Sequence, residues 1–156
     1  MGDLIPMLNR RLKQEPVPQT VVIHLGTNDL FSTPVKDLRR LIEEGLRTIR
    51  HMLPNTRIVW SDILPRLFYD GEVKKGVGKR NRAAINKFAH KSCGQLGNAA
   101  SVVHSHNISQ SNHTLYRRDG LHLSASGNLL FSENIHNGLA FFALSLEALL
   151  YPTIVQ

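Results

Sequence analysis

A single cysteine, Cys93, stands in a chain of 156 residues. No disulfide can close within the chain and no cysteine cluster can hold zinc, a usage that suits a reducing compartment. Its neighbours are small and polar, and it reads as a structural residue near a helix end. No apolar run approaches the ~20 residues needed to span a bilayer. The opening Met1-Gly2-Asp3-Leu4 carries no basic segment followed by an apolar one, so no signal peptide is expected. The expectation is an intracellular, cytoplasmic protein. Acidic residues are outnumbered, 12 against 19 Lys and Arg, for a formal net charge of +7. Part of the surplus gathers at Arg10, Arg11 and Lys13, and at Lys74, Lys75, Lys79, Arg80 and Arg82. Such a balance permits weak association with nucleic acid through its phosphates. These stretches lack the interleaved aromatics that stack on single-stranded bases, and a solvated loop and helix start is the simpler reading. Apolar residues are not scarce, at 42%. That supports a packed core and one domain over residues 1–156.

Periodicity divides the chain. Leu4, Leu8 and Leu12 recur every four residues with Ile5 beside them, a helix from Asp3, its N-cap, to about Lys13. Pro16 and Pro18 end it. Thr20–Leu25 is a β-branched, buried type of strand. Thr33-Pro34 reads as N-cap and first helical residue. Val35, Leu38, Ile42, Leu46, Ile49 and Leu53 then trace one helical face, braced by a Glu43–Arg47 pair. Residues Arg57–Ser61 form a second strand, followed by a loop with an Asp70-Gly71 turn. Lys79 to about Gln95 is a third helix with Ala84, Ile85, Phe88 and Ala89 as its stripe, and Ala99–His104 a third strand. Ser105–Leu121 has no period, and a loop of that length inside a compact domain is usually functional or mobile. Ser124 caps a final helix that offers Leu130, Phe131, Ile135, Leu139, Phe142, Leu146 and Leu149 for burial before Pro152. Alternating helices and strands predict a parallel sheet covered on both faces, with its site at the carboxyl ends of the strands.

Two segments carry chemistry. Gly26-Thr27-Asn28-Asp29 follows the first strand directly. Gly26 permits a sharp exit, and Asn28 can offer an amide donor to a developing oxyanion, a contact whose loss typically costs ~3 kcal/mol of transition-state stabilisation. A plain strand-to-helix turn would use the same residue types. Asp119-Gly120-Leu121-His122 precedes the last helix. An Asp three residues before a His can fold back onto the ring, fix its tautomer and prepare it as a general base.

These two segments, in this order and setting, resemble the third and fifth blocks of the SGNH, or GDSL-like, hydrolase superfamily. The likeness runs from about Leu4 to Leu149. Within that superfamily the Ser61-Asp62-Ile63-Leu64-Pro65-Arg66 run and the Asp119–Ser124 run are similar to the esterase-like domains of vertebrate LINE-type retrotransposons, which would give the basic charge a reason. The resemblance implies a three-layer α/β/α flavodoxin-like fold and an esterase or acyl hydrolase acting on a small ester. It also implies His122 and Asp119 as catalytic residues, Asn28 in the oxyanion hole, and Gly26, Thr27 and Asp29 as the supporting loop. No cofactor is implied.

The family's nucleophile block, Gly-Asp-Ser at the end of its first strand, is missing. Gly2-Asp3-Leu4 has no strand before it and no serine. The expectation is an N-terminally truncated fold of about three parallel strands, inactive as it stands unless an upstream segment completes it. One edge of the Thr20–Leu25 strand would then be uncovered. Ser61, at a strand end, is the nearest topological substitute, but a nucleophile needs an exposed turn and a base in reach, and Ser61 is not assigned the role. The competing reading is a non-catalytic, nucleic-acid-associated domain. His104, His106 and His113 lie near the candidate residues, but a His-x-His pair on a strand points to opposite faces and no metal site is assigned. His24, His51 and Trp60 read as core or surface residues. The oligomeric state is not legible.

Overall fold

The computed structural model describes residues 2–68 and 72–150, with side chains over 2–68 and 76–143. The Asp70-Gly71 turn, the side chains of Lys74, Lys75, Leu146 and Leu149, and Pro152 lie outside the described residues. In chain order the elements are α1 (Leu4–Leu12), β1 (Thr20–Ile23), α2 (Asp29–Ser32), α3 (Val35–Met52), β2 (Arg57–Ser61), α4 (Glu72–Gln95), β3 (Ala100–Val103) and α5 (Ala125–Leu150). Short 3₁₀ turns at Gly97–Ala99 and His113–Leu115 punctuate the later loops. The strands form a parallel sheet in the order β1-β2-β3, with Val22 level with Val59 and Trp60 level with Val102.

The two-residue period of the strands divides the sheet's faces. Ile23, Ile58 and Trp60 enter one apolar cluster with Leu38, Ile42, Leu46 and Ile49 of α3 and Ile85 and Ala89 of α4, and α1 packs at its margin through Leu4. Val59 and Val103 face the other way, against Phe142, Ile135 and Leu139 of α5. Helices therefore cover both faces of a parallel sheet, the α/β architecture that alternation predicts. Cys93 lies buried in the first cluster, and burial pushes its thiol up to about 11, an inert packing residue. Among the described residues no helix is long and apolar enough to cross a membrane.

Several boundaries differ from expectation. β1 stops at Ile23, not Leu25, because Gly26 turns the backbone at φ +105° and its carbonyl already accepts from Leu30 N–H at 3.2 Å. β3 is likewise shorter, ending at Val103. α4 starts at Glu72 rather than Lys79. Gly76 and Gly78 weaken that helix start by ~1 kcal/mol each, but Asn81 Nδ2 donates to Leu30 O at 2.9 Å and ties the first turns to α2. Asp3 holds the N-cap position of α1 without a side-chain cap bond. Pro34, with ψ 140°, is the N-cap of α3, so the helix begins one residue later than read. Ser124 does cap α5, accepting from Gly127 N–H at 3.2 Å, and Arg47 meets Glu43 at 3.0 Å.

Candidate functional site

The turn after β1 is shaped by Gly26. At φ +105° a side chain would be strained, and a Cβ would also come within 2.8 Å of Ile63 Cδ1, the movable end of that side chain. The turn presents Thr27 and Asn28 at the carboxyl end of the sheet, and Asp29, half-buried, opens α2. Arg66 clamps it: Nη2 donates to Thr27 O at 2.9 Å and to Asn28 Oδ1 at 3.0 Å. A guanidinium has no acceptor, so the atom it touches is the amide oxygen. The Asn28 NH₂ is thereby left to donate elsewhere. The guanidinium also lies over the Phe31 ring, 5.7 Å from its centroid.

The second motif is held in a tight reversal. Tyr116 and Leu123 form an antiparallel bridge, and Arg117 N–H donates to His122 O at 2.8 Å. Gly120 adopts φ +62°, and a Cβ would strike the Phe68 ring at 2.2 Å. Its carbonyl accepts from Leu67 N–H at 2.8 Å. The reversal folds Asp119 back: Oδ1 accepts from the N–H groups of Leu121 and His122 at 2.8 and 2.9 Å, and Oδ2 lies 2.8 Å from His122 Nδ1. The His122 side-chain bond, then the backbone bonds, hold the Asp119 carboxyl down at about 2. It is therefore a carboxylate at neutral pH, Nδ1 must carry the proton, and the Nε2 lone pair is available.

The two motifs converge. His24, Asn28, Arg66, His122, Asn128 and Phe131 are among the residues around one cleft of about 330 Å³. The long 105–121 loop supports it rather than hanging free, with Ile108, Leu115 and Tyr116 packed against Leu64, Leu123 and Phe131. Tyr116 Oη donates to Pro65 O at 3.0 Å. Gln110 Nε2 donates to Arg66 O.

Ser61 is fully buried. Its Oγ lies 3.1 Å from Nδ1 of His24, not beside His122. Burial lowers the pKa of His24, against the bond to Ser61 and the nearby Asp62 charge. The ring tilts against Phe131, 4.7 Å between centroids. Among the described residues Thr27 carries the one hydroxyl side chain on the cleft lining. His51 is exposed on α3 and Trp60 is fully buried.

Sequence reasoning passed over His24 and Arg66. His24 read as a strand residue, but the early end of β1 releases it to the cleft. Arg66 follows a proline in a loop without period, and nothing in its spacing marks it. The histidines weighed for a metal are not assembled as read: His113 sits exposed in its own 3₁₀ turn, and His106 stacks on His104 at 5.1 Å. His104 instead joins Asp62 and His90.

The Asp119–His122 contact has a direct check. A group whose folded pKa lies below its unfolded value stabilises the fold above the unfolded pKa, and that contribution fades as pH falls from about 4 towards 2. The Asp119 carboxyl ¹³C shift is expected to titrate near 2 and to move towards 3.8 in His122→Ala. A wild-type midpoint at 3.8, unmoved by the substitution, would mean that the pair does not form in solution.

The model of the GDSL-like Lipase/Acylhydrolase family matches residues 2–130 of the chain. No curated protein matches it.

Proposed function

We propose, from the premise that this chain belongs to the GDSL-like lipase/acylhydrolase family, that the cleft is the acyl-transfer site of an esterase whose serine comes from a strand outside these residues. The observation that carries the reading is the shared cleft: Asn28 and His122 line it together, and His122 is bonded through Nδ1 to a carboxylate. In this reading a serine hydroxyl loses its proton to His122 Nε2 as its oxygen attacks the ester carbonyl. The carbonyl oxygen becomes an oxyanion and receives the Asn28 NH₂. His122 then protonates the departing alkoxide, and water, activated by the same nitrogen, releases the acid. Asp119 keeps Nδ1 protonated throughout and stabilises the imidazolium. Arg66 is a positioning residue that turns the Asn28 amide.

The cleft volume is at the lower end of small-molecule sites. With Leu64, Leu121, Leu123 and Phe131 on its wall, it suits a short acyl chain. Titrating the chain with a short-chain carboxylic acid, the product side of the reaction, is expected to shift the Asn28 side-chain amide and His122 ring signals. Saturating shifts elsewhere, with these two unmoved, would remove the cleft from consideration as an acyl site.

A nucleic-acid role rests on the basic charge and on the likeness to retrotransposon esterase-like domains. Lys79 and Arg80 are exposed on α4, but Arg82 is only half-exposed and its Nη1 lies 3.5 Å from Ile63 O, so the basic run is not one continuous face. This reading expects single-stranded RNA binding that weakens steeply with salt; its absence at low salt would dismiss it.

A further inference from the structure

We infer a second site, for a divalent cation of the zinc class, formed by Asp62, His90 and His104. One carboxylate oxygen and two imidazole nitrogens of these residues lie within 4.8 Å of one another. Asp62 follows β2, His104 follows β3, and His90 projects from α4, so three separate elements converge on one point. Asp62 Oδ1 is 2.5 Å from His90 Nε2 and Oδ2 is 2.9 Å from His104 Nδ1. Two nitrogens and one carboxylate are a zinc donor set that leaves a fourth position open.

The local fold presents these atoms firmly on one side and loosely on the other. Asp62 N–H donates to Val103 O at 3.1 Å. Asn86, one turn before His90 on α4, holds the next peptide through Oδ1 to Ile63 N–H at 3.0 Å and Nδ2 to Ile63 O at 3.2 Å. The Asp62 side chain is only 12% exposed, whereas those of His90 and His104 are 34% and 43% exposed. The rings can therefore swing outward while the carboxylate stays put. Tetrahedral zinc ligands sit ~3.4 Å apart, given metal–ligand bonds of about 2.0–2.1 Å, so small rotations of the two rings admit the ion. Beside the cluster is a hollow of about 220 Å³, lined by Asp62, Ser105 and His106 among others. Ser105 is 7% exposed, and its Oγ has no hydrogen-bond partner among the described residues. A water in that hollow would supply one. The hydrogen-bonding alternative, a carboxylate capped by two imidazole N–H groups, uses the same atoms and differs in binding no zinc.

The test uses the full chain freed of metal, titrated with zinc against a chromophoric chelator and, separately, with cobalt. One equivalent is expected to bind, with a visible cobalt spectrum of four or five ligands including nitrogen. Zinc is expected to move the ring signals of His90 and His104 in the wild-type protein, which needs no substitution to fold. His90→Ala and His104→Ala are each expected to weaken binding by more than about a thousandfold, beyond the 10–100-fold typical of losing a supporting residue. His51→Ala and His113→Ala are expected to leave it unchanged. No binding, or binding that moves other histidine signals and survives both cluster substitutions, overturns the site.

Discussion

Hydrolysis of p-nitrophenyl acetate by the 156-residue chain is expected to be no faster than by its His122→Ala variant. A gap of about 10⁴ in kcat should open between them once a strand ending in Gly-Asp-Ser is fused ahead of residue 1. His122 carries its proton on Nδ1 because the Asp119 carboxylate demands it, which leaves Nε2 as the base in the proposed reaction. The serine nearest by topology is unsuited to it: Ser61 is fully buried against His24. Removing one member of such a triad lowers kcat by about 10⁴ or more. In the completed protein Asp119→Asn should fall by a similar factor, since the wrong tautomer then presents itself, and Asn28→Ala by about 10²–10³ for one lost oxyanion donor. Turnover by the unfused chain that His122→Ala abolishes would sink the proposal, because a nucleophile would then lie within these residues.

Trp60→Ala should lower the unfolding free energy by about 3–5 kcal/mol, the range for deleting a large buried aromatic. Set against a typical domain stability of about 5–15 kcal/mol, that is enough to leave the variant marginal. Trp60 is fully buried on the central strand, in the cluster that joins α3 and α4 to the sheet. Its indole Nε1 has no hydrogen-bond partner among the described residues, an expensive condition for a buried donor. Trp60→Phe removes that donor along with some volume, and its loss should be well under half that of the alanine variant. Urea unfolding with equal m-values would check both. Equal losses for Phe and Ala would show that the indole N–H does find a partner.

The core of the fold was legible because it depends on period. The apolar face of α3 and the β-branched runs of the strands depend on nothing distant. The element ends were less so. β1 stops early because Gly26 turns the chain against Ile63, a contact 37 residues away. α4 starts early because Asn81 reaches Leu30. Of the candidate site, the Asp119–His122 contact is local, three residues apart, and its spacing announced it. The Arg66 clamp spans 38 residues, and the Asp62–His90–His104 cluster joins residues 28 and 42 apart. No motif window contains them. One trace was available: Arg82, Asn86 and His90 recur at four-residue intervals on α4, a polar line on the helix that touches the loop after β2.

Among the described residues β1 has a strand neighbour on one side only, and Val22 is 38% exposed there. Any incoming strand that brings a hydroxyl to the cleft has very little latitude. Sliding it by one position turns every side chain to the opposite surface, and sliding it by two carries the hydroxyl about 7 Å along the sheet, out of reach of a ring fixed by Asp119. Reactivity in a completed protein would thus be decided by alignment at this margin, and a misaligned assembly would fold, bind and stay silent.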